Sequence, residues 1–253
     1  MTVKTTMPLT SNPGVYQWEC FGGEVLAAYS GREFPRARHD DFLSNLGIAP
    51  ARVARVRQEH TDEIIQVQGS CLTHGERVVG DGLVTDEVNL PLSILTADCL
   101  PVFYWDPVMR VVGLVHAGWR GVAHGIIPKM VRAMSSLYSS KAADIRVAFG
   151  PSIRFCCYEV GEDLKAYFGD FYRLPHAGAT RAHVDLAGAA RKQLFGEGIE
   201  KSHLYDCDLC TFCRNDLFYS ARKDGNRERI ISVAAIRPRR DGSRRPGDIE
   251  NRP

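Results

Sequence analysis

No stretch of this 253-residue chain approaches the ~18 consecutive apolar residues that a bilayer-spanning helix requires. The opening MTVKTTMPLTSNPG has no apolar signal core after its lysine, so the expectation is a cytoplasmic protein with no membrane partner. There is no G-x-G-x-x-G following a first strand and no Walker lysine loop, which removes the doubly wound nucleotide folds. Internal repeats are absent, as is any linker before the C-terminal tail. Charge of one sign is scarce too. The formal net charge is +2, and the tail RPRRDGSRRPGDIENRP carries six arginines against three acidic residues, so the rest of the chain presents no basic face for nucleic acid.

What remains is a chain with 44% hydrophobic residues, enough to bury a core. It reads as a single catalytic domain over residues 1–236 followed by a basic, flexible tail over 237–253. Short apolar runs rich in β-branched residues and bounded by Gly, Pro or Asp predict strands at Glu24–Ser30, Ile64–Val67, Leu92–Ala97, Val102–Trp105, Val111–Val115, Ile145–Phe149 and Ile230–Ile236. Helical periodicity predicts helices over Ala37–Leu46, Val122–Leu137 and Leu186–Leu194, the last capped by Asp185. The breaks at Pro101 and at Asp106-Pro107 imply tight connections between neighbouring strands. The expected class is therefore α/β, a mixed, sandwich-like arrangement in which a mixed β-sheet is flanked by helices.

Eight cysteines, at 20, 71, 99, 156, 157, 207, 210 and 213, would suggest disulfides in a short secreted chain. Here reduced thiols are expected, most of them acting as small buried hydrophobes. Cys207, Cys210 and Cys213 form C-x-x-C-x-x-C, but the Cys-Pro that closes a ferredoxin run is missing, so buried or idle thiols are expected there. Neighbouring Cys156 and Cys157 are expected to pack near a turn.

Chemistry concentrates at the ends of two apolar runs. Asp98-Cys99 follows one, and His116-Ala117-Gly118-Trp119-Arg120 closes another. If those strands pair, a thiolate meets an imidazole, which gives either a nucleophile with its base or two-thirds of a metal site. His60, in Gln58-Glu59-His60-Thr61, could complete a Cys/His/His set, and three protein ligands leave zinc an open, catalytic position. The separations of 39 and 17 residues match no finger-type spacing, so they do not choose between these readings.

The segments QEHT (58–61), GDGLVTD (80–86), TADCLPVFYWDP (96–107), VHAGWRG (115–121), GPSIRFCCYEVG (150–161), HVDL (183–186) and CTFCRNDLFYSARKDG (210–225) closely resemble the YfiH/FAMIN family, over roughly residues 50–236. That family was formerly described as multicopper polyphenol oxidase or laccase-domain and is now described as purine nucleoside phosphorylases. The resemblance implies a YfiH-like fold and zinc held by His60, Cys99 and His116. It also implies phosphorolysis of adenosine, inosine, guanosine and S-methyl-5'-thioadenosine, with hydrolytic deamination of adenosine. Some bacterial relatives are linked instead to peptidoglycan editing, for which a Cys-His amidohydrolase using Cys99 and His116 is the alternative; a copper polyphenol oxidase is a weaker one. The N-terminal region departs from the family: its Gly-rich turn, S-L-N-L-G segment and Asn-Arg pair are not recognisable in AYSGREFPRARHDDF.

Provisional roles follow. Cys99, Asp98 and Arg120 are the catalytic candidates, with Asp98 or Glu59 moving the proton in a deamination. Arg120, Arg222 and Gln58 are candidates for holding nucleoside and phosphate, since a phosphate dianion calls for fixed cationic donors. The cofactor is expected to be Zn2+ in preference to copper, the partners a purine nucleoside and phosphate, and the assembly a monomer or homodimer.

Overall fold

A computed structural model describes residues 4–5, 12–69, 78–225 and 227–239. In chain order the strands are β1 Lys4–Thr5, β2 Val15–Gln17, β3 Val25–Ser30, β4 Ile64–Gln66, β5 Gly82–Thr85, β6 Leu92–Thr96 and β7 Leu100–Asp106. They continue as β8 Val111–Ala117, β9 Arg146–Phe149, β10 Tyr172–Arg173, β11 His183–Val184, β12 Leu204–Asp206 and β13 Ile230–Ile236. The helices are α1 His39–Asn45, α2 Trp119–Ala123, α3 Ile126–Tyr138, α4 Lys165–Phe168, α5 Leu186–Gly196 and α6 Ala221–Asp224.

Seven strands form a mixed sheet in the order β1-β12-β9-β7-β8-β5-β4, and four form an antiparallel sheet in the order β2-β3-β13-β6. Successive side chains of a strand face opposite sides, and the packing follows that alternation. On β7, Leu100, Val102 and Tyr104 lie in one core with Met130 and Met134 of α3 and Leu194 of α5. Phe103 and Trp105 instead join Tyr29, Leu92, Ile94 and Ala234 of the smaller sheet. The far side of that sheet, with Leu26, Ala28 and Val233, meets Phe42 and Leu43 of α1. The order of layers is α1, four-stranded sheet, seven-stranded sheet, then α2, α3 and α5: the mixed, helix-flanked sandwich expected from the pattern. Two apolar faces on each sheet explain why β7, β8 and β13 are buried at every position rather than alternating with polar residues.

Asp185 caps α5 as expected, accepting from the Gly188 N–H at 2.9 Å. Two expectations change. The helix expected over Val122–Leu137 is two helices, because Gly125 adopts φ +85° and turns the chain before α3 begins. Pro101 does not end a strand either. It is the second residue of β7, paired with His116 on β8 before the pairing with β9 begins at Val102, and such an end position tolerates a missing N–H. Of the tail, Arg237 to Arg239 are held: the Arg237 N–H donates to the Glu24 carbonyl at 2.8 Å, and its own carbonyl accepts from Arg110 at 3.0 Å. Residues 240–253, together with Cys71, lie outside the described residues.

Candidate metal centre

Antiparallel pairing of β7 with β8 sets Leu100 opposite Ala117 and Pro101 opposite His116, so Cys99 at the start of one strand meets the imidazole near the end of the other. The third residue comes from the 58–61 turn, which is fastened in place by a two-way bond: Gln58 Nε2 donates to the Leu95 carbonyl and Gln58 Oε1 accepts from the Leu95 N–H, both at 2.8 Å. His60 has φ +60° and Asp98 φ +81°. Left-handed backbone at non-glycine residues is uncommon, and its presence at two positions flanking one site marks a geometry imposed by the surroundings.

The potential ligand atoms of His60, Cys99 and His116 all lie within 4.8 Å of one another. Cys99 Sγ is 3.7 Å from His60 Nε2. Tetrahedral zinc with Zn–S ~2.3 Å and Zn–N ~2.05 Å would put these atoms ~3.6 Å apart, so the donor set fits a single ion without rearrangement. Gly118 supplies the room. A Cβ there would lie 2.7 Å from His60 Cδ2 and 3.3 Å from Cys99 Sγ.

Asp81, fully buried at the start of β5, organises the centre. Its Oδ1 is 2.6 Å from His116 Nδ1, leaving Nε2 of the same ring for the ion. Oδ2 accepts from the Thr61 N–H at 2.6 Å, the Thr61 hydroxyl at 2.8 Å and the Glu59 N–H at 3.3 Å. One carboxylate thus fixes both histidine-bearing segments. Burial alone would push its carboxyl up, but the bonds from His116 and Thr61 overcome this and hold it below the usual range. Burial likewise opposes a Cys99 thiolate. His116 and His60 outweigh it and lower the thiol, while burial would lower His116 but the Cys99 charge and Asp81 overcome this and raise it.

The centre opens on a cavity of about 1210 Å³ lined by Gln58, His60, Asp98, Cys99, His116 and Tyr158, and by five arginines: Arg36, Arg55, Arg57, Arg222 and Arg229. Of the residues expected from sequence, Gln58, Asp98 and Arg222 reach this cavity beside the three ligands. Gln58 spends its amide on Leu95. Asp98 Oδ1 accepts from the Thr211 hydroxyl at 2.6 Å and Oδ2 from the Arg222 N–H at 2.8 Å. The Arg222 guanidinium donates to the Glu159 carbonyl at 2.9 Å. Arg120 is exposed on α2, stacked 4.5 Å from the Trp119 ring centroid, and is not among the lining residues. Glu59 pairs with Arg57 at 2.8 Å on the surface.

Asp81 and four of the five arginines were not singled out from sequence. Asp81 stands inside GDGLVTD, where a carboxylate beside two glycines looks like a turn. Arg36, Arg55, Arg57 and Arg229 come from separate segments that only the fold gathers. The thiol expectations hold in part, since Cys207 and Cys210 are buried and Cys156-Cys157 lie in a turn. Cys207 is buried, with its sulfur 4.0 Å from an Arg154 nitrogen, whereas Cys156, Cys157, Cys210 and Cys213 form a second group of mutually close sulfurs, two of them exposed.

The family described as multi-copper polyphenol oxidoreductase laccase matches residues 36–237. "Purine nucleoside phosphorylase YlmD" of Geobacillus stearothermophilus is 39% identical over 164 residues, 62% of this chain and 60% of that protein. "Purine nucleoside phosphorylase LACC1" of Mus musculus is 31% identical over 185 residues, 71% of this chain but 42% of its own length. The chain thus spans less than two thirds of these two curated relatives. The crystal structure of YlmD from G. stearothermophilus superposes with a TM-score of 0.84 at 27% identity, covering 91% of this chain and 99% of that one.

Proposed function

This chain belongs to the multi-copper polyphenol oxidoreductase laccase family, and from its similarity to proteins named purine nucleoside phosphorylase we propose that it is a zinc-dependent purine nucleoside phosphorylase with adenosine deaminase activity. The observation that carries the reading is a complete His60/Cys99/His116 donor set facing a cavity lined by five arginines. Such a lining suits a phosphate dianion, which an electron-transfer site for phenols would not need.

Two reactions share the cavity. In phosphorolysis a phosphate oxygen attacks C1′ of the ribose and the glycosidic C–N bond breaks. The electron pair leaves on the purine, which takes up one proton, giving free base and ribose 1-phosphate. In deamination water adds at C6 and ammonia leaves. A zinc ion held by three protein ligands would supply Lewis acidity at its open position.

The chain's own residues do the rest. Asp81 fixes the His116 tautomer and ring plane. Arginine guanidiniums hold the phosphate and balance its charge. Gln58 holds the His60 turn, while Arg120 stacks on Trp119 outside the cavity lining. Asp98, with both oxygens engaged, positions Arg222 through its backbone amide. Its partners Thr211 and Arg222 must let go before it could carry a proton.

Turnover of inosine with phosphate, followed as hypoxanthine and ribose 1-phosphate, tests the reading together with the metal content of the purified chain. About one equivalent of zinc bound by His60, Cys99 and His116, with phosphate-dependent release of base, is expected. Zinc-loaded protein that releases no purine from any nucleoside would overturn it. The Cys-His amidohydrolase reading draws on the same lowered Cys99 thiol, and is separated by alkylation: zinc should protect Cys99 from iodoacetamide, and chelation should abolish activity.

A further inference from the structure

The second sulfur group lies outside the centre just described and has no part in its chemistry. Cys156 and Cys157 stand in the turn after β9, and Cys210 and Cys213 in the loop after β12. Their four sulfurs lie within 4.8 Å of one another. Cys213 Sγ is 3.7 Å from Cys156 Sγ and 3.3 Å from Cys157 Sγ. We propose that Cys156, Cys157, Cys210 and Cys213 form a second zinc site, a four-thiolate structural centre that ties the 152–158 turn to the 207–217 loop at the wall of the cavity.

Size favours one ion. Tetrahedral zinc with Zn–S ~2.3 Å separates its sulfurs by ~3.8 Å, close to the observed spacing, whereas an iron-sulfur cluster carrying its own sulfides holds its cysteines further apart. The local chain has the form such a site needs. Cys210-Thr211-Phe212-Cys213 is a C-x2-C turn, the ligand spacing of zinc knuckles.

The two loops are also aligned by the fold alone. The Ser152 N–H donates to the Leu209 carbonyl at 3.2 Å, and the Thr211 N–H donates to the Ser152 carbonyl at 3.0 Å. Arg154 grips Asp206 through two bonds of 3.0 and 2.8 Å and reaches the Gly150 carbonyl at 3.1 Å. Lys223 lies over the Phe212 ring and donates to the Phe212 carbonyl at 3.3 Å, which places a cation beside a centre whose four thiolates leave it net negative. Binding releases the thiol protons to solvent, so affinity rises with pH.

The site's purpose follows from Thr211, which sits between two of the ligands and donates to Asp98. Asp98 in turn orients Arg222, and Tyr158, one residue beyond Cys157, lines the cavity. A zinc ion here holds the cavity wall without touching substrate.

Metal analysis of the full chain purified under reducing conditions tests this, with zinc as the probe. Two zinc ions per chain are expected: one is lost in His60→Ala/His116→Ala and the other in Cys210→Ser/Cys213→Ser. Should the cysteine variant fail to fold, wild-type protein still decides. Cys156 and Cys213 are exposed in the fold, so alkylation read by mass spectrometry should be slow with zinc and fast after chelation, and cobalt loading should give thiolate charge-transfer absorption of four-sulfur intensity that survives in His60→Ala/His116→Ala. A single zinc ion at saturation that is lost in His60→Ala/His116→Ala, equal alkylation with and without zinc, iron as the bound metal, or a Cys157–Cys213 disulfide would each overturn the proposal.

Discussion

Replacing Gly118 by Ala separates metal binding from folding more cleanly than removing any ligand. Gly118 is the N-cap of α2, with φ −73° and ψ 169°, extended backbone that alanine adopts freely. Glycine is preferred over alanine as an N-cap, so helix and fold should lose about 1 kcal/mol. The new Cβ tells a different story. It would lie 2.7 Å from His60 Cδ2 and 3.3 Å from Cys99 Sγ, so it must push the imidazole away by about 1 Å to reach ordinary contact near 3.7 Å. The His60 imidazole, an exposed side-chain end, can yield by rotating about its own χ angles, which takes its Nε2 away from Cys99 Sγ. A ~1 Å misplacement of a reacting or ligating group costs on the order of 100-fold, so zinc affinity and kcat/KM should both fall by about that factor. Competition with a chromophoric chelator reads the first, inosine phosphorolysis the second, and thermal melting of the metal-free protein the third quantity. Gly118→Ala protein that binds zinc as tightly as wild type would refute the placement of the centre, and one whose metal-free form melts far below wild type would refute the argument that this glycine serves space rather than backbone.

Three other outcomes follow. Asp81→Asn offers an amide N–H to His116 Nδ1 and so disfavours the tautomer with Nε2 free, and zinc affinity in a chelator competition should drop ~10–100-fold. Arg55→Met removes a cationic donor from the cavity lining; with ~1.5–3 kcal/mol for a charge-assisted bond, KM for phosphate should rise roughly 10-fold or more while zinc content stays at the wild-type level. Asp224 is held down to about 2, first by its hydrogen bond from Arg32, against burial, with help from Ser220 and Asn215. A depressed carboxyl stabilises the fold above its unfolded pKa of 3.8, and that stability is lost as pH falls from there through about 2. Because the pair is partly solvated, the contribution is at most about 1 kcal/mol, and Asp224→Asn should flatten the acid limb of a urea-melt series between these pH values.

Local pattern was enough where an element carries its own signal. β13 is apolar at every position but Ser232, and it forms over Ile230–Ile236, as expected. Asp185 is a cap whose partner lies three residues away. Elements whose signal is short were missed: β2, β5 and β12 have three or four residues each and form because partner strands complete their hydrogen bonds. The break at Gly125 shows the same limit from the other side, since apolar periodicity runs through His124-Gly125 and only a positive φ divides the helix.

The three candidate ligands could be picked out for a related reason. Each of His60, Cys99 and His116 carries chemistry that few other residues can supply, and each stands in a distinctive motif. Asp81 carries equally necessary chemistry, but a carboxylate that positions a ligand looks the same in sequence as one that caps a turn; it is recognised only when His116 Nδ1 is 2.6 Å away. The arginines are harder still, because the property that matters is that they converge. Arg36 precedes α1, Arg55 and Arg57 precede the His60 turn, Arg222 lies on α6 and Arg229 precedes β13. Their charge is ordinary in each segment and unusual only in sum. The four thiols follow the same logic: two pairs 53 residues apart from Cys157 to Cys210 each look idle, until the Ser152–Thr211 and Ser152–Leu209 backbone bonds lay one loop along the other. Residues with distinctive chemistry can be picked out one by one, whereas the groups gathered around them from several loops depend on the packing that joins them.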